Sequence, residues 1–358
     1  MGVAMKEVVN AIPRGNPNEL AKIESFVPSG DRPPSCKSAD QGYRETVETV
    51  RVLLHDLIDY AGLFPPASLA MSSSVANYET YLRSEWSWIL GRFIVPAARL
   101  AEFETAFRSL PPPQSDSAPV SSRMSVILGD DLASDAEVLR VWRDRLAMSS
   151  TARSAKIESV EVRVENPEAI ARSVQTIPVG MTIYFEAPPA RWIECAAAAA
   201  DSGHRMKIRM GGETADKFPK SESVVEFLRL CAFHRLPFKA TAGLHHPLRS
   251  VHRLTYQPDS PSGVMHGFLN LFLAAAFLGA GMEPDRAVQL LDEDSREALR
   301  FDSDGVNWRE ARLGRGELMA ARRESSISFG SCSFTEPIDD LGSLGLLSNR
   351  SATEQAIL

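Results

Sequence analysis

The chain has 358 residues, of which 44% are hydrophobic and 24% charged, the balance of a soluble globular protein rather than a disordered chain or a cysteine-stapled mini-domain. Thirty-nine Lys and Arg against 46 Asp and Glu give a net charge of −7, which argues against a nucleic-acid footprint or an acidic-membrane surface. The four cysteines, Cys36, Cys195, Cys231 and Cys332, form no CxxC pair, and no histidine cluster has zinc-finger spacing, so reduced thiols and no metal or other cofactor are expected.

In chain order, residues 1–45 are rich in Pro, Ser, Gly and charge and predict a poorly ordered arm, with one short helix near Glu19–Phe26. The start MGVAMKEVVNAIPRGN has no apolar signal core, and Lys6 stands where a myristoylation start needs Ser or Thr, so a cytoplasmic location is expected. The ordered body opens with a helical ETVETVRVLLHDLID. Strands follow at 60–64, 88–96, 124–130, 159–166, 181–188, 206–212, 237–244 and 325–333, with amphipathic helical patterns between them. Their spacing is that of βα units. It predicts a (β/α)8 TIM barrel over 46–345, with an N-terminal extension, a helical insertion at 250–322 between strands 7 and 8, and a C-terminal tail at 346–358. An open doubly wound sheet is the second architecture, but no GxGxxG follows the first strand. Within the insertion, GFLNLFLAAAFLGAG (267–281) is too short for a bilayer span and is interrupted by Asn270. It predicts a buried helix covering a barrel end or a neighbouring subunit, the latter implying a homo-oligomer.

Barrel strands point alternate residues inward, and here the alternating positions carry charge. Glu161, Arg163 and Glu165 share one face of the fourth strand and Thr182, Tyr184 and Glu186 one face of the fifth. Lys207 and Arg209 share a face of the sixth, and Lys239 and Thr241 a face of the seventh. Buried charge is expensive unless paired, so an inward cluster of this kind points to chemistry. Two lysines on adjacent strands suit imine formation, one as nucleophile toward a carbonyl and the other lowering its pKa, with Glu161 or Glu186 moving protons. His245 and His246 follow the seventh strand at the end where barrel enzymes work. They are candidates for substrate binding or acid–base work, or with Glu186 for a metal-assisted hydrolase or isomerase. Cys332 reads as a small buried filler more readily than as a nucleophile.

These segments resemble deoxyribose-phosphate aldolase and its class I aldolase relatives over most of 57–340. LIDYAGLFPPAS (57–68) is similar to that family's opening strand, and IYFEAP to its fifth. MKIRMGG resembles the segment that carries the Schiff-base lysine and FKATAGL the one with the second lysine. FGSCSF (329–334) resembles the phosphate loop. The resemblance implies Lys207 as nucleophile, Lys239 as its partner and Asp59 as the first-strand acid. It also implies Gly330, Ser331 and Ser333 as the anion loop. The sequence departs from the family at Ile208-Arg209-Met210 and at Ala242-Gly243-Leu244-His245-His246. Arg209 suggests a carboxylate or second anionic group on the substrate. The expectation is a Schiff-base lyase acting on a small anionic oxo or aldehyde substrate that carries a phosphate or a carboxylate. A non-catalytic anion-binding barrel is the alternative outside enzymology.

Overall fold

A computed structural model describes residues 46–111, 120–147 and 153–347; the expected arm at 1–45 with its short helix, and positions 348–358 of the expected tail, lie outside the described residues. Seven strands come in steady succession: β1 (Ile58–Tyr60), β2 (Leu90–Pro96), β3 (Val120–Ile127), β4 (Arg153–Arg163), β5 (Thr182–Glu186), β6 (Arg205–Arg209) and β7 (Phe238–Thr241). The eighth, β13 (Ser326–Ser331), pairs with β7 on one side and β1 on the other and closes a fully parallel barrel. A helix follows each of the first six strands: α2 (Met71–Leu82), α3 (Leu100–Arg108), α4 (Leu132–Ala147), α5 (Pro167–Thr176), α6 (Trp192–Asp201) and α7 (Ser221–Phe233). The architecture is the (β/α)8 barrel that the spacing predicts.

Local chemistry explains these elements. In α5, Pro167 occupies the first turn, where no backbone donor is needed, and the Asn166 side chain accepts from the Ala169 N–H at 2.9 Å. Helix α1 (Glu48–Leu54), which precedes β1, buries Thr49, Val50, Leu53 and Leu54, a stripe of helical period. It is shorter than the helical pattern in the sequence. The first strand also lies earlier than the expected 60–64. The chain leaves the sheet at Ala61, whose N–H donates to Ser331 O at 2.7 Å, and turns so that the Phe64 N–H returns to Ala61 O at 3.0 Å.

The long segment between β7 and β13 supplies the seventh barrel helix and an outer layer. A hairpin, β8 (Ser250–Arg253) with β9 (Ser262–Met265), comes first, then α8 (Phe268–Gly279) and α9 (Pro284–Leu291). A three-stranded antiparallel sheet follows: β10 (Leu299–Phe301), β11 (Gly305–Trp308) and β12 (Ala311–Gly314). It leads into α10 (Arg315–Glu324). Two small sheets thus accompany the expected helices. Within the expected helical insertion, α9 stops at Leu291, and Leu299–Phe301 turns back on Gly305–Trp308. At that turn the Asp302 carboxylate accepts from the N–H groups of Asp304 and Gly305, both at 2.9 Å.

The apolar helix α8 is buried along Phe268–Phe277. It is the helix of the seventh βα unit. Phe268 stacks on Phe329 at 5.0 Å between centroids, and Phe272 stacks on Phe238 at 6.2 Å. Helices α7, α9 and α10 pack against it, so its apolar circumference is covered within this chain rather than at a barrel end. Asn270 lies inside this layer with its amide fully used: Nδ2 donates to Leu290 O and Glu293 O, both at 2.8 Å, and Oδ1 accepts from the Arg249 N–H at 3.0 Å. Helix α11 (Thr335–Ser343) follows β13 and completes the ring. Among the described residues no helix is long and apolar enough to cross a membrane.

Candidate active site

The alternation along the strands carries charged side chains from five strands into the barrel, where they form one buried chain of ion pairs. Lys239 Nζ donates to Asp59 Oδ2 at 2.7 Å and to Glu161 Oε1 at 2.6 Å. The other oxygen of Glu161 is 2.9 Å from Lys207 Nζ, which is 2.7 Å from Glu186 Oε2. Glu186 Oε1 accepts from Arg209 Nε at 2.9 Å. Asp59, Glu161, Lys207 and Lys239 are 0%, 2%, 4% and 1% exposed, so water does little to screen them. Burial of this kind is tolerable only because positive and negative groups alternate from Asp59 to Arg209.

Neighbouring residues make room for this chain and orient it. Ser328 Oγ donates to Asp59 Oδ2 at 2.8 Å, and the Arg92 N–H donates to Asp59 Oδ1 at 2.8 Å. A Cβ on Gly91 would lie 2.2 Å from that same Oδ1, so the absence of a side chain there gives the carboxylate its place. Ser159 Oγ donates to Ser125 Oγ at 2.9 Å, and Ser125 donates to Glu161 Oε1 at 2.7 Å. At the ends of β6 and β7 the backbones nearly touch: a Cβ on Gly243 would be 2.6 Å from Gly211 Cα. Gly243 and its neighbour Ala242 both adopt left-handed φ, +66° and +58°.

The two lysines differ in how they are held. They lie opposite each other in the β6–β7 register. The sequence reading set one ammonium to depress the other, but Glu161 lies between them and attracts both. Burial penalises the charge on Lys239, yet Asp59 and Glu161 outweigh it and hold its pKa above the ordinary lysine value, which keeps it an ammonium. Both its contacts are aligned hydrogen bonds. Those of Lys207 are ion pairs of similar length, 2.9 Å to Glu161 and 2.7 Å to Glu186, and Glu186 also holds Arg209. Burial raises the carboxyl pKa of Glu161, but Lys207 and Lys239 overcome it and hold the group below the ordinary glutamate range. In Glu186 burial is likewise overcome by Lys207 and Arg209.

Above this chain, at the carboxyl ends of the strands, is a cavity of about 320 Å³. Lys207, Lys239 and Glu161 form its floor, Arg163, Arg209, Thr241, His245 and Gly330 line it, and Phe64, Pro65 and Pro66 form an apolar wall. Arg163 Nε reaches within 4.0 Å of Glu186 Oε1 and is otherwise free in solvent, its side chain 76% exposed. Of the other candidates in the sequence, three lie away from the cavity wall. His246 Nδ1 is 2.6 Å from Asp340 Oδ2, and its ring stacks on His252. Ser333 Oγ accepts from the Glu336 N–H at 3.1 Å at the start of α11, and the buried Ser331 receives the Ser333 N–H at 3.4 Å. FGSCSF thus presents Gly330 and Cys332 to the cavity, while its two serines bond locally.

His245 and His246 diverge onto separate carboxylates, and among the described residues no three His, Cys, Asp or Glu side chains group as a metal site. His245 Nδ1 is 3.9 Å from Cys332 Sγ and 3.5 Å from Glu336 Oε2. Burial disfavours its protonation, but the thiol and the carboxylate push the imidazole up to about 9. It therefore adds a positive charge to the cavity wall at neutral pH.

Residues that sequence reasoning missed are Ser125, Ser159 and Ser328, the hydroxyls behind Asp59 and Glu161. Ser125 and Ser328 occupy the inward phase of MSVILGD and SSISFGS, a signal legible once that phase is known. Glu336 comes from the last helix and carried none. No family model matches the sequence, and the comparison with curated proteins returned no match.

Proposed function

We propose that the protein is a Schiff-base lyase of the class I aldolase type, with Lys207 as the amine that attacks the carbonyl of a small anionic substrate. The observation that carries this reading is the contrast between the two lysines. Both lysines line the cavity floor between two carboxylates, but Lys239 lies between the buried Asp59 and Glu161, which keep it charged, whereas Lys207 shares Glu186 with Arg209 of the cavity wall. The attack needs a neutral amine, so Lys207 must first transfer a proton, and Glu186 Oε2, 2.7 Å away, is the acceptor best placed.

Nζ then adds to the carbonyl carbon, and a proton passes from that nitrogen to the carbonyl oxygen to give a neutral carbinolamine. Protonated Glu186 returns its proton to the departing hydroxyl, and water leaves as the C=N bond forms. In the cleavage direction the cationic imine takes up the electrons of the bond between its α and β carbons, and the β-hydroxyl gives its proton to a carboxylate as the carbonyl product leaves. That proton returns to the enamine carbon before water hydrolyses the imine; synthesis is the reverse. Arg209, Arg163 and His245 supply the positive wall for the substrate's phosphate or carboxylate. A substrate anion that engages Arg209 also draws it from Glu186, which makes Glu186 a better base when substrate is bound. Lys239 and Asp59 act as positioning groups, holding Glu161 and through it Lys207.

The test is turnover. Proton NMR of the protein with pairs of small aldehydes and keto acids, with and without a phosphate, should show a new or broken carbon–carbon bond for at least one pair. Lys207→Met should reduce the rate to background. Undiminished turnover in Lys207→Met would remove the imine mechanism.

A further inference from the structure

The barrel has a second cavity at its opposite, amino-terminal mouth, of about 260 Å³. Its walls are the hydroxyls of Ser159, Thr182 and Ser328 and the ring of Tyr184, and Lys239 and Asp59 form its floor, back to back with the upper cavity. Three further cations reach it from three strands: Arg92, Lys156 and Arg205. Two acids also line it, and both are already engaged. Asp59 holds Lys239 at 2.7 Å, and Glu158 Oε2 accepts from Arg92 Nε at 2.9 Å. Among the described residues neither Lys156 nor Arg205 has a carboxylate partner. The Arg205 guanidinium is held in place all the same: Nη1 donates to Tyr184 Oη at 2.8 Å, and Cζ lies 5.5 Å from the centroid of that ring. A further guanidinium, Arg322, packs near this end of the barrel, donating to Ser326 O, to Ile327 O at 2.8 Å and to His55 O at 2.7 Å, with Cζ 5.6 Å from the centroid of the Phe272 ring.

An acidic protein thus carries a polar, positively biased recess that the proposed reaction leaves unused. A guanidinium fixed on a tyrosine, a lysine with no carboxylate partner among the described residues and the hydroxyl of Thr182 are groups that bind oxyanions, while Ser159 and Ser328 already donate to Ser125 and Asp59. We infer that the amino-terminal mouth is a second ligand site, for a small oxyanion bearing at least two negative charges, a phosphate or a polycarboxylate. The volume is below the ~300–1,000 Å³ of a drug-sized pocket and restricts the ligand to a small one. Such a ligand lies on the far side of Lys239 from Lys207, so it binds without entering the proposed catalytic cavity.

Calorimetric titration of the full chain at low ionic strength tests this, with inorganic phosphate in one arm and citrate in the other. The expected result is saturable binding in at least one arm, and the tighter probe identifies the oxyanion class. Binding should weaken about tenfold or more in Lys156→Gln/Arg205→Gln, which removes two charge-assisted contacts, and survive in Arg163→Gln/Arg209→Gln, which alters only the upper cavity. Lys156→Gln alone, a change at an exposed side chain, should give a smaller loss and secures the test if the double variant folds poorly. No saturable binding in either arm overturns the inference. So does binding that is lost in the upper pair and kept in the lower.

Discussion

Glu161 holds one lysine on each oxygen, and removing either lysine leaves a different residue of charge behind. In Lys239→Met, Asp59 and one oxygen of Glu161 lose an ammonium at a site that water does not reach. Breaking a buried pair in this way costs about 3–5 kcal/mol. In Lys207→Met, Glu186 keeps Arg209 and Glu161 keeps Lys239, so the loss should be smaller. Urea unfolding of both variants checks the order, and equal losses would mean that the two lysines are held alike. Five of the six charged residues of this chain were legible because inward-facing charge on a barrel strand violates the apolar pattern of its neighbours, and Asp59 entered only through the family resemblance. The roles of His246, Ser331 and Ser333 were not. His246 and Ser333 lie in loops, which have no fixed phase, and Ser331 ends β13 buried away from the cavity, so sequence order placed all three near the site while their side chains bond elsewhere.

At the scale of elements, α8 shows how an apolar run acquires its meaning from what packs around it. From the sequence, GFLNLFLAAAFLGAG reads equally as a cap on the barrel or as a subunit contact. Which faces are covered depends on α7, α9 and α10, whose placement is tertiary. Asn270 ties this layer together, because its amide satisfies two carbonyls and one N–H that would otherwise be buried without partners. Asn270→Leu removes all three bonds. Each buried group left unsatisfied costs about 1–3 kcal/mol, so the variant should be destabilised by several kcal/mol in urea unfolding. A loss of under about 1 kcal/mol would mean that water or a shifted backbone satisfies those groups. The strand boundaries were legible to within a few residues. The early end of β1 was missed, because the turn after Ala61 is set by the pairing with Ser331 in the last strand.

For the whole molecule, the buried charges tie stability to pH. Glu161 and Glu186 titrate lower in the fold than in the unfolded chain, where the ordinary value is 4.5. Their contribution is therefore fully present above pH 4.5 and lost as pH falls through the folded values. Lys239 titrates higher in the fold, so its contribution is complete below its ordinary 10.5 and lost only at more alkaline pH. Thermal unfolding should begin to fall between pH 7 and 5, where His204, His252 and His266 are held neutral by burial, and fall further below 4.5, with a shallower acid limb in Glu161→Gln. Identical acid limbs would mean that other carboxylates govern acid unfolding.

Lys207 as the reactive amine, with Lys239 as its fixed partner, is the proposal from which the others follow. The most direct measurement is peptide-resolved mass spectrometry after borohydride reduction of the protein with small keto acids and aldehyde phosphates. The account predicts a reduced adduct on the peptide carrying Lys207 and none on Lys239. An adduct on Lys239, or none on either lysine with a substrate that the protein turns over, would contradict it.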